Sequence, residues 1–396
     1  MRLLCVVPRY GENVLGGAEA LIRGFAEGAP ALDCDVHILT TCATDAITWD
    51  NVAPRGAVRE NGVPVWRYPL QPVNSPRRQQ ELHYKLMTHQ PLDPAEQYEW
   101  LDNGPHSPAL YAHLQRYSRE YDAIIFAPYV FPLIHYAAVI DPARSVIWPC
   151  LHDEAFLRFE STRLMLSRAR GVIFNSQPES ELARHHIGSL AHSVVAGVGV
   201  RDIPGDAARF KGRHSIDAPF ILYAGRLEPP KNVPALFENF LAYKRDRGGD
   251  LKLVLMGEGA LSIPSHPDIV PIGFQDEQGK RDAYAAASLL CQPSLMESFS
   301  IVLMEAWLAC VPALVHAHCP VTSFHCSQSS AGLAFSDEDE FISCVDWFLS
   351  HPLQSRRMGQ QGRQYVLGAF TWEAVIGRAL GALGDWFNSG EVAQVA

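Results

Sequence analysis

Residues 291–312 read CQPSLMESFSIVLMEAWLACVP, and along this stretch the pattern changes from that of a strand to that of a helix. The apolar run 288–293 predicts a buried strand. From about Phe299 the apolar residues recur at a spacing of three to four, which predicts a helix. Ser298 and Ser300 stand directly before that helix and are good N-cap candidates.

Two carboxylates frame the predicted helix start. Glu297 lies before it, and Glu305 lies about one and a half turns inside it, roughly 8–9 Å along the axis from Phe299. A helix N-terminus presents free N–H groups and a partial positive charge, which suits a phosphate. The spacing therefore fits a nucleotide that has one carboxylate on each side of its phosphates. Acidic residues also occur near helix starts only because they stabilise the helix dipole, so the pair is not specific taken alone.

Length and composition restrict the possible classes of protein. A chain of 396 residues is too long for one compact core and predicts two domains. A hydrophobic content of 47% with 19% charged residues is typical of a globular protein, and a net charge of −10 argues against a general nucleic-acid binder. The nine cysteines include no CxxC pair, and no apolar run approaches the roughly 20 residues of a membrane span. MRLLCVVPRY reads as a first strand rather than a signal peptide, so we expect a cytoplasmic protein.

The first half of the chain alternates between predicted strands and helices. The third strand is expected at a sheet edge, and a helix is expected to begin at Gly16-Gly17 and to run to about residue 29. The predicted strands span residues 3–7, 36–41, 63–68, 122–127, 145–150, 171–176 and 193–200.

Three polar features accompany these strands. Gly16 and Gly17 form a strand-to-helix turn, where glycines let the backbone approach a ligand or serve packing alone. His152 follows the end of a strand, where open α/β sheets bind ligands, although an isolated histidine is often structural. Asp33-Cys34-Asp35 has the Asp-x-Asp form that some transferases use for a metal, but we interpret it as a turn that enters a strand.

Two further segments have alternative interpretations. Residues 71–120 form an insertion with helices predicted at 77–90, 94–102 and 107–119, which either covers a substrate cleft or decorates the surface. Residues 156–170 predict one amphipathic helix with four arginines. This helix either packs on the sheet or makes weak peripheral contact with an anionic membrane.

The second half repeats the alternation after a polar, loop-like stretch at 204–219. A strand at 220–224 is followed by a glycine turn in which Arg226 and Lys231 form a candidate anion cradle. Further strands are predicted at 251–256, 269–272 and 313–315, and further helices at 233–245, 276–287 and 337–349. The amphipathic tail 372–387 is expected to return to the first domain.

These patterns predict an α/β protein with two doubly wound parallel-sheet domains and a cleft at the strand carboxyl ends. The boundary falls near 198–216. We therefore expect an N-terminal domain at 1–200, a C-terminal domain at 201–371 and a returning helix at 372–396.

Nearly the whole chain resembles the bacterial glycosyltransferases of family 4, which have the GT-B fold of two Rossmann-like domains. The resemblance depends mainly on GRLEPPKN (225–232), MGEG (256–259), IGF with YAAASLLCQPS (272–294), and ESFSIVLME (297–305), which has the E-x7-E pattern. The first half, with GGAE and LHDE, is similar to a subgroup tied to exopolysaccharide and cell-surface glycan assembly. One departure is the AGVGV run at 196–200, where relatives often have Asn-Gly-Val-Asp.

The resemblance assigns roles to individual residues. Arg226 and Lys231 would clamp the diphosphate with help from the N–H groups of 298–301. Glu297 would accept hydrogen bonds from the donor sugar, and Glu305 from the ribose.

Other roles follow from the same resemblance. Gly273 and Phe274 would meet the base, His152 would touch the donor sugar, and Gly16 and Gly17 would let the first domain approach the phosphates. The predicted catalytic residues are His152, Arg226, Lys231 and Glu297. The predicted donor-binding residues are Gly16, Gly17, Arg226, Lys231, Gly257, Gly273, Phe274, Glu297, Ser298, Phe299, Ser300, Ile301 and Glu305.

The implied function is a retaining transferase that needs no metal or other cofactor. It would move a hexose from a nucleotide sugar, with UDP favoured, to a glycan or lipid-linked acceptor in bacterial polysaccharide synthesis. The alternatives are a GT-B sugar-nucleotide epimerase or hydrolase, a GDP-mannose-dependent transferase, and a non-catalytic sugar-nucleotide-binding partner. The intact set of Arg226, Lys231, Glu297 and Glu305 argues against the last of these.

Overall fold

The computed structural model describes residues 1–14, 16–73 and 75–388, which form two compact units. The first unit contains Met1–Gly199 together with the helix Trp372–Asn388, and the second contains Val200–Thr371. Each unit is built on its own sheet, and both sheets are largely parallel.

The sheet of the first unit has eight strands in the order β3-β4-β2-β1-β5-β6-β7-β8. All neighbouring pairs are parallel except β3 with β4. The strands are β1 Arg2–Val6, β2 Asp35–Thr41, β3 Gly56–Glu60, β4 Val63–Tyr68, β5 Ala123–Phe126, β6 Ser145–Ile147, β7 Gly171–Phe174 and β8 Ser193–Val195. The helices are α1 Gly17–Gly28, α2 Pro76–Met87, α3 Pro94–Asp102, α4 Pro108–Tyr117, α5 Pro132–Ala138, α6 Glu160–Arg168, α7 Gln177–Ile187 and, from the chain end, α15 Trp372–Asn388.

The apolar run at the start of the chain becomes a central strand. Leu3, Leu4, Cys5 and Val6 are fully buried, because β1 lies between β2 and β5. Continuous apolar runs of this kind are typical of parallel strands that are covered on both faces.

The expectation that residues 63–68 form an edge strand is wrong. The strand β4 lies between β2 and β3, and β3 occupies the edge. The hairpin that joins β3 to β4 turns at Asn61 and Gly62, which both have positive φ, 48° and 83°. Asn-Gly is the preferred pair for such a tight turn, so the turn was visible in the sequence.

Residues 156–170 do not form one helix, contrary to the prediction. A short 3₁₀ turn at Ala155–Arg158 is separated from α6 by Phe159, whose backbone is extended. The apolar residues Phe156, Leu157 and Met165 are buried in the core of the first unit. These apolar side chains cannot contact a membrane, so only the exposed arginines of this segment still support the membrane hypothesis. In the described part of the chain, no helix has the length and apolar character required to cross a membrane.

The sheet of the second unit has six parallel strands in the order β11-β10-β9-β12-β13-β14. The strands are β9 Phe220–Ala224, β10 Lys252–Met256, β11 Ile269–Gly273, β12 Leu289–Gln292, β13 Ala313–His316 and β14 Gly332–Phe335. The helices are α8 Ala207–His214, α9 Val233–Arg247, α10 Glu277–Ala286, α11 Ile301–Leu308, α12 Pro320–Ser329, α13 Glu338–Ser350 and α14 Pro352–Ala369.

The stretch 204–219, expected as a loop, contains the helix α8. Asp206 caps its start by accepting hydrogen bonds from the N–H groups of Ala208 and Arg209. Phe210 is the buried residue of the helix, and Arg209 pairs with Asp282 of α10. The helix was missed because its one large apolar residue, Phe210, produces no periodicity.

The helix α15 packs within the first unit through two tryptophans. The ring of Trp372 lies against Gly24 of α1 and against Gly199, where a side chain on either glycine would overlap it. The ring of Trp386 lies against Gly171 in the same way. Glycines at these positions therefore make room for close approach of the rings.

Candidate nucleotide-sugar site

Three loops at the carboxyl ends of neighbouring strands are joined by backbone hydrogen bonds in the second unit. Gly225 N–H donates to Met256 O at 3.0 Å, and Gly257 N–H donates to Gly273 O at 2.9 Å. Gly257 has φ 136°, and a Cβ there would overlap the carbonyl of Gly225. Only glycine allows this approach, so the glycines of the MGEG and IGF turns fix how the loops meet.

The two predicted cations of the diphosphate clamp have different surroundings. The Arg226 side chain is 74% exposed and pairs with Glu228 at 2.9 Å. Lys231 lies in a short 3₁₀ turn, and its Nζ is 2.7 Å from Oε1 of Glu297. The structure therefore brings Lys231 and Glu297 together and leaves Arg226 on the surface of its unit.

The helix α11 begins at Ile301, two residues later than predicted. Ser300 occupies the N-cap position in a left-handed conformation, and its side chain makes no capping bond. The ring of Phe299 packs between His325 and Phe370, with centroids 5.1 and 5.0 Å away. The Phe299 side chain therefore belongs to the core, and only its backbone remains a candidate for donor binding.

Glu305 is closer to the helix start than predicted, because four residues of helix span roughly 6 Å. Its side chain is 5% exposed. Oε1 accepts from Lys280 at 2.7 Å and lies 3.2 Å from Arg281, and Oε2 accepts from Tyr284 at 3.0 Å. Burial, followed by the charge of Glu305, raises the pKa of Tyr284 well above its ordinary value, so the phenol stays a donor. These three partners use three of about four acceptor positions on the carboxylate.

Glu297 belongs to a second polar network. Its side chain is 10% exposed, and Oε1 accepts from Lys231 and from Nε2 of Gln292, the latter at 3.2 Å. The same Nε2 lies 3.3 Å from Oγ of Ser300. Gln292, the last residue of β12, thus links Glu297 to the start of α11.

Phe274 has the exposure that a stacking platform requires. It follows Gly273, whose φ is 69°, at the end of β11, and 57% of its surface is exposed. An exposed aromatic ring at a strand end is consistent with stacking on a base, which stays a prediction.

In the first unit, Gly16 and Gly17 differ in the space around them. Gly16 is the N-cap residue of α1 with φ 151°, and a Cβ there would overlap the carboxylate of Glu19. Gly17 has open space where a Cβ would lie. Glu19 is buried and pairs with buried Arg9, so the glutamate of the GGAE motif serves this ion pair.

His152 lies beyond the end of β6 beside a carboxylate. Its Nδ1 is 3.7 Å from Oε1 of Glu154, and that oxygen accepts from the hydroxyl of Tyr129 at 2.9 Å. The preceding residue, Leu151, donates its N–H to buried Glu179 at 2.5 Å. His152 is therefore held by a loop that is anchored from within the core.

Residues 206–365 match the Glycosyl transferases group 1 family. This stretch lies inside the second unit and contains the loops and both polar networks described above. The match covers the segment that carries the predicted donor site of the second unit.

Individual proteins extend this finding. The MMP alpha-(1->4)-mannosyltransferase of Mycolicibacterium hassiacum is 25% identical over 163 residues, which are 38% of this chain and 39% of that protein. Sucrose-phosphate synthase from Thermosynechococcus elongatus has a TM-score of 0.71 at 16% identity, covering 98% of this chain and 99% of that one. Anabaena Alr3699/HepE in complex with UDP has a TM-score of 0.70 at 16% identity, covering 97% and 100%. The predicted GT-B-type fold is confirmed, and the comparisons support a glycosyltransferase.

The Asp-x-Asp sequence lies at the opposite end of the first sheet from His152. Asp33 ends a 3₁₀ turn with φ 56°, and Asp35 begins β2. Asp35 pairs with Arg2 at 3.5 Å and with His37 at 3.3 Å. This geometry is that of a turn entering a strand at its amino end.

Four residues of the two polar networks in the matched segment 206–365 were not predicted from the sequence. Two are cations of α10 that pair with Glu305, one is a phenol on the same helix that donates to Glu305, and one is the amide at the end of β12 that donates to Glu297. A signal was present, because Lys280 and Tyr284 are four apart and share a helix face. The missed residues are Lys280, Arg281, Tyr284 and Gln292.

Proposed function

We propose that the chain is a retaining glycosyltransferase of family-4 type that moves a hexose from a UDP-sugar to a glycan or lipid-linked hydroxyl. The observation that carries this is the cluster of Lys231, Glu297 and the start of α11 within the matched domain. The proposed setting is bacterial polysaccharide synthesis on the cytoplasmic side of the inner membrane, with weak peripheral contact at most.

The chemistry follows from the charge on the leaving group. The nucleoside diphosphate gains negative charge as the glycosidic bond breaks. Arg226, Lys231 and the N–H groups at the start of α11 would stabilise that charge more in the transition state than in the ground state. These cations and dipoles take the part that a divalent metal has in other transferases, so no metal is required in this proposal. The acceptor hydroxyl would attack on the face from which the diphosphate leaves, and the departing phosphate oxygen would take its proton.

Each carboxylate has a partner in the donor. Glu297 would accept from hydroxyls of the transferred sugar, and Glu305 from the ribose through its remaining acceptor position. Phe274 would stack on the base beside Gly273. His152, Gly16 and Gly17 of the first unit would meet the donor sugar and phosphates, and the helices of 71–120 would serve the acceptor.

The similar proteins support two different donors, a UDP-sugar and a mannose donor. HepE was crystallised with UDP and with UDP-glucose, and a trehalose-6-phosphate synthase from E. coli with UDP-2-fluoro glucose, which favours UDP. Those proteins share the fold at 12–16% identity. The mannosyltransferase relative instead favours a mannose donor, so a GDP-mannose-dependent enzyme is the second candidate.

The test is nucleoside diphosphate release from UDP-glucose and from GDP-mannose, in excess EDTA, with and without glycan acceptors. Arg226→Ala and Lys231→Ala should each lower turnover by roughly a hundredfold or more, because each removes a charge-assisted contact to the leaving group. Arg245→Ala is the matched control, since Arg245 is an arginine of the same unit with a similar exposure, 67% against 74% for Arg226, and its partners are Asp246 and Glu338.

Three outcomes would overturn the proposal. Near-wild-type rates in both clamp variants would show that the site is elsewhere. Loss of activity in EDTA that magnesium or manganese restores would bring a metal back into the mechanism. Equal release with and without every acceptor would favour the epimerase or hydrolase.

A further inference from the structure

Ser300 adopts a backbone conformation that is unfavourable for its residue type. Its φ and ψ are 71° and 76°, in the left-handed region, and the residue is 5% exposed. Glycine occupies this region without steric cost, whereas a residue with a Cβ is strained there. Strain of this kind persists only where the surrounding structure holds the residue in place, and such residues cluster at functional sites.

The Ser300 side chain is part of the buried network around Glu297. Gln292 is 4% exposed, and its Nε2 lies 3.3 Å from Ser300 Oγ and 3.2 Å from Glu297 Oε1. Ser300 Oγ and Glu297 Oε1 are thus separated by no more than two hydrogen-bond lengths. Lys231 lies on the same carboxylate oxygen, so one continuous network joins the 3₁₀ turn of the clamp, β12 and the start of α11.

The direction of these hydrogen bonds follows from what each group can do. A carboxylate only accepts, so the Gln292 amide must present its NH2 group to Glu297. The same NH2 group then donates to Ser300, and the hydroxyl of Ser300 accepts with its oxygen. Its own proton remains to be donated, and no acceptor for it is found among residues 1–14, 16–73 and 75–388.

We propose that the hydroxyl of Ser300 donates a hydrogen bond to the diphosphate of the donor, and that Gln292 is a positioning residue that holds Ser300 and Glu297 together. A hydroxyl donor at the start of α11 matches a phosphate oxygen, whereas the Glu297 carboxylate has no proton to donate and therefore suits sugar hydroxyls rather than a phosphate. Gln292 thereby couples the position of the leaving group to that of the sugar. This inference rests on the proposed transferase function.

The first test is Ser300→Gly, which removes the hydroxyl and keeps the backbone N–H. We expect the Tm to stay equal or rise, because glycine relieves the left-handed conformation. We also expect kcat/KM to fall roughly tenfold or more, the size of effect typical for a hydrogen bond to a charged group. Stability and activity therefore change in opposite directions.

Ser330→Gly is the matched control. Ser330 is also a left-handed serine, with φ 53°, but it is exposed at the end of α12. Ser330→Gly should relieve the same kind of backbone strain, so we expect the Tm of this variant to stay equal or rise. Its rate of glycosyl transfer should stay unchanged. A fall in both Tm and kcat/KM for Ser300→Gly would indicate a structural role and overturn the inference.

The second test is Gln292→Met, alone and combined with Ser300→Gly. Gln292→Met should lower kcat more than it raises KM for the donor, since it leaves Lys231 and Arg226 in place. The double variant should lose less than the product of the two single losses, because the residues act through one contact. Independent, multiplicative losses would contradict the positioning role.

The failure of this inference is distinguishable from failure of the proposed function. If Lys231→Ala is inactive while Ser300→Gly keeps kcat/KM within twofold of wild type, Ser300 has no part in the reaction and the transferase stands. If Lys231→Ala is also fully active, the proposed function itself has failed.

Discussion

At the scale of single residues, the two glutamates of the E-x7-E pattern have different electrostatic environments. Glu305 is buried against two cations and a phenol, whereas Glu297 has one lysine and an amide. Removing the charge of Glu305 would leave buried Arg281 and partly exposed Lys280 with Glu277 as their remaining carboxylate partner. Breaking a fully buried ion pair from one side costs roughly 3–5 kcal/mol. The cost here should be smaller, because Glu277 still offsets both charges.

This contrast leads to a prediction for Glu297→Gln and Glu305→Gln. Glu305→Gln should lower thermal stability and weaken binding of free UDP, because it affects both the ion pairs with Lys280 and Arg281 and the proposed contact to the ribose. Glu297→Gln should leave free UDP binding nearly unchanged, lower turnover and blur the choice between sugar epimers. Calorimetry with UDP measures the first difference, and rates with epimeric donors measure the second.

Lys280→Met serves as the control for Glu305. It removes one partner but keeps the carboxylate, so nucleotide binding should persist. If Glu297→Gln loses binding of free UDP while Glu305→Gln keeps it, the donor would bind in the reverse orientation, with its ribose at Glu297 and its sugar at Glu305.

At the scale of secondary-structure elements, the docking of α15 on the first unit depends on glycines that face tryptophan rings. Gly24→Ala should destabilise the protein by roughly 1–3 kcal/mol, because the new methyl group overlaps the ring of Trp372. Gly377→Ala on α15 has open space around its Cβ and should stabilise by up to about 1 kcal/mol through helix propensity. Urea unfolding of both variants tests the pair. Equal stabilities of Gly24→Ala and wild type would show that α15 is not held at Gly24.

At the scale of the whole molecule, we expect the pH dependence of stability to contain a contribution from Glu179. Its carboxylate is fully buried between the ends of β6 and β7, where it accepts from the N–H groups of Leu151 and Asn175. Burial raises the pKa of Glu179 to about 8, against the opposing effect of these hydrogen bonds. Between its ordinary pKa and about 8, the folded chain therefore binds a proton that the unfolded chain has released.

The sign of the effect follows from this difference. The free energy of unfolding should fall as the pH rises through this window, at up to about 1.4 kcal/mol per pH unit for one proton. Glu179→Gln should remove that slope, whereas Glu181→Gln, an exposed carboxyl on the same helix, should keep it. Urea unfolding at several pH values between 5 and 8 measures the slopes. An unchanged slope in Glu179→Gln would show that this carboxyl does not titrate in the window.

Much of the α/β architecture could be predicted from the sequence, because buried parallel strands and amphipathic helices have local signatures. Runs such as Leu3–Val6 and Phe220–Ala224 are apolar without interruption, and the glycine that follows the second run, Gly225, is visible in the printed chain. The polar residues at strand ends, Lys231 and Glu297 among them, could be selected because parallel strands bring their carboxyl ends to one edge.

Features that depend on distant partners could be decided only by the tertiary structure. The helix α8 has one buried residue and is held by the ion pair between Arg209 and Asp282 of α10. The short hairpin strand β3 occupies the sheet edge, so β4 lies inside the sheet. The partners of Glu305 come from α10 and the link between Glu297 and Ser300 comes from β12, so no local pattern joins them. Hydrophobic periodicity records which face of an element is buried. Which polar groups meet once those faces are packed depends on how distant parts of the chain come together.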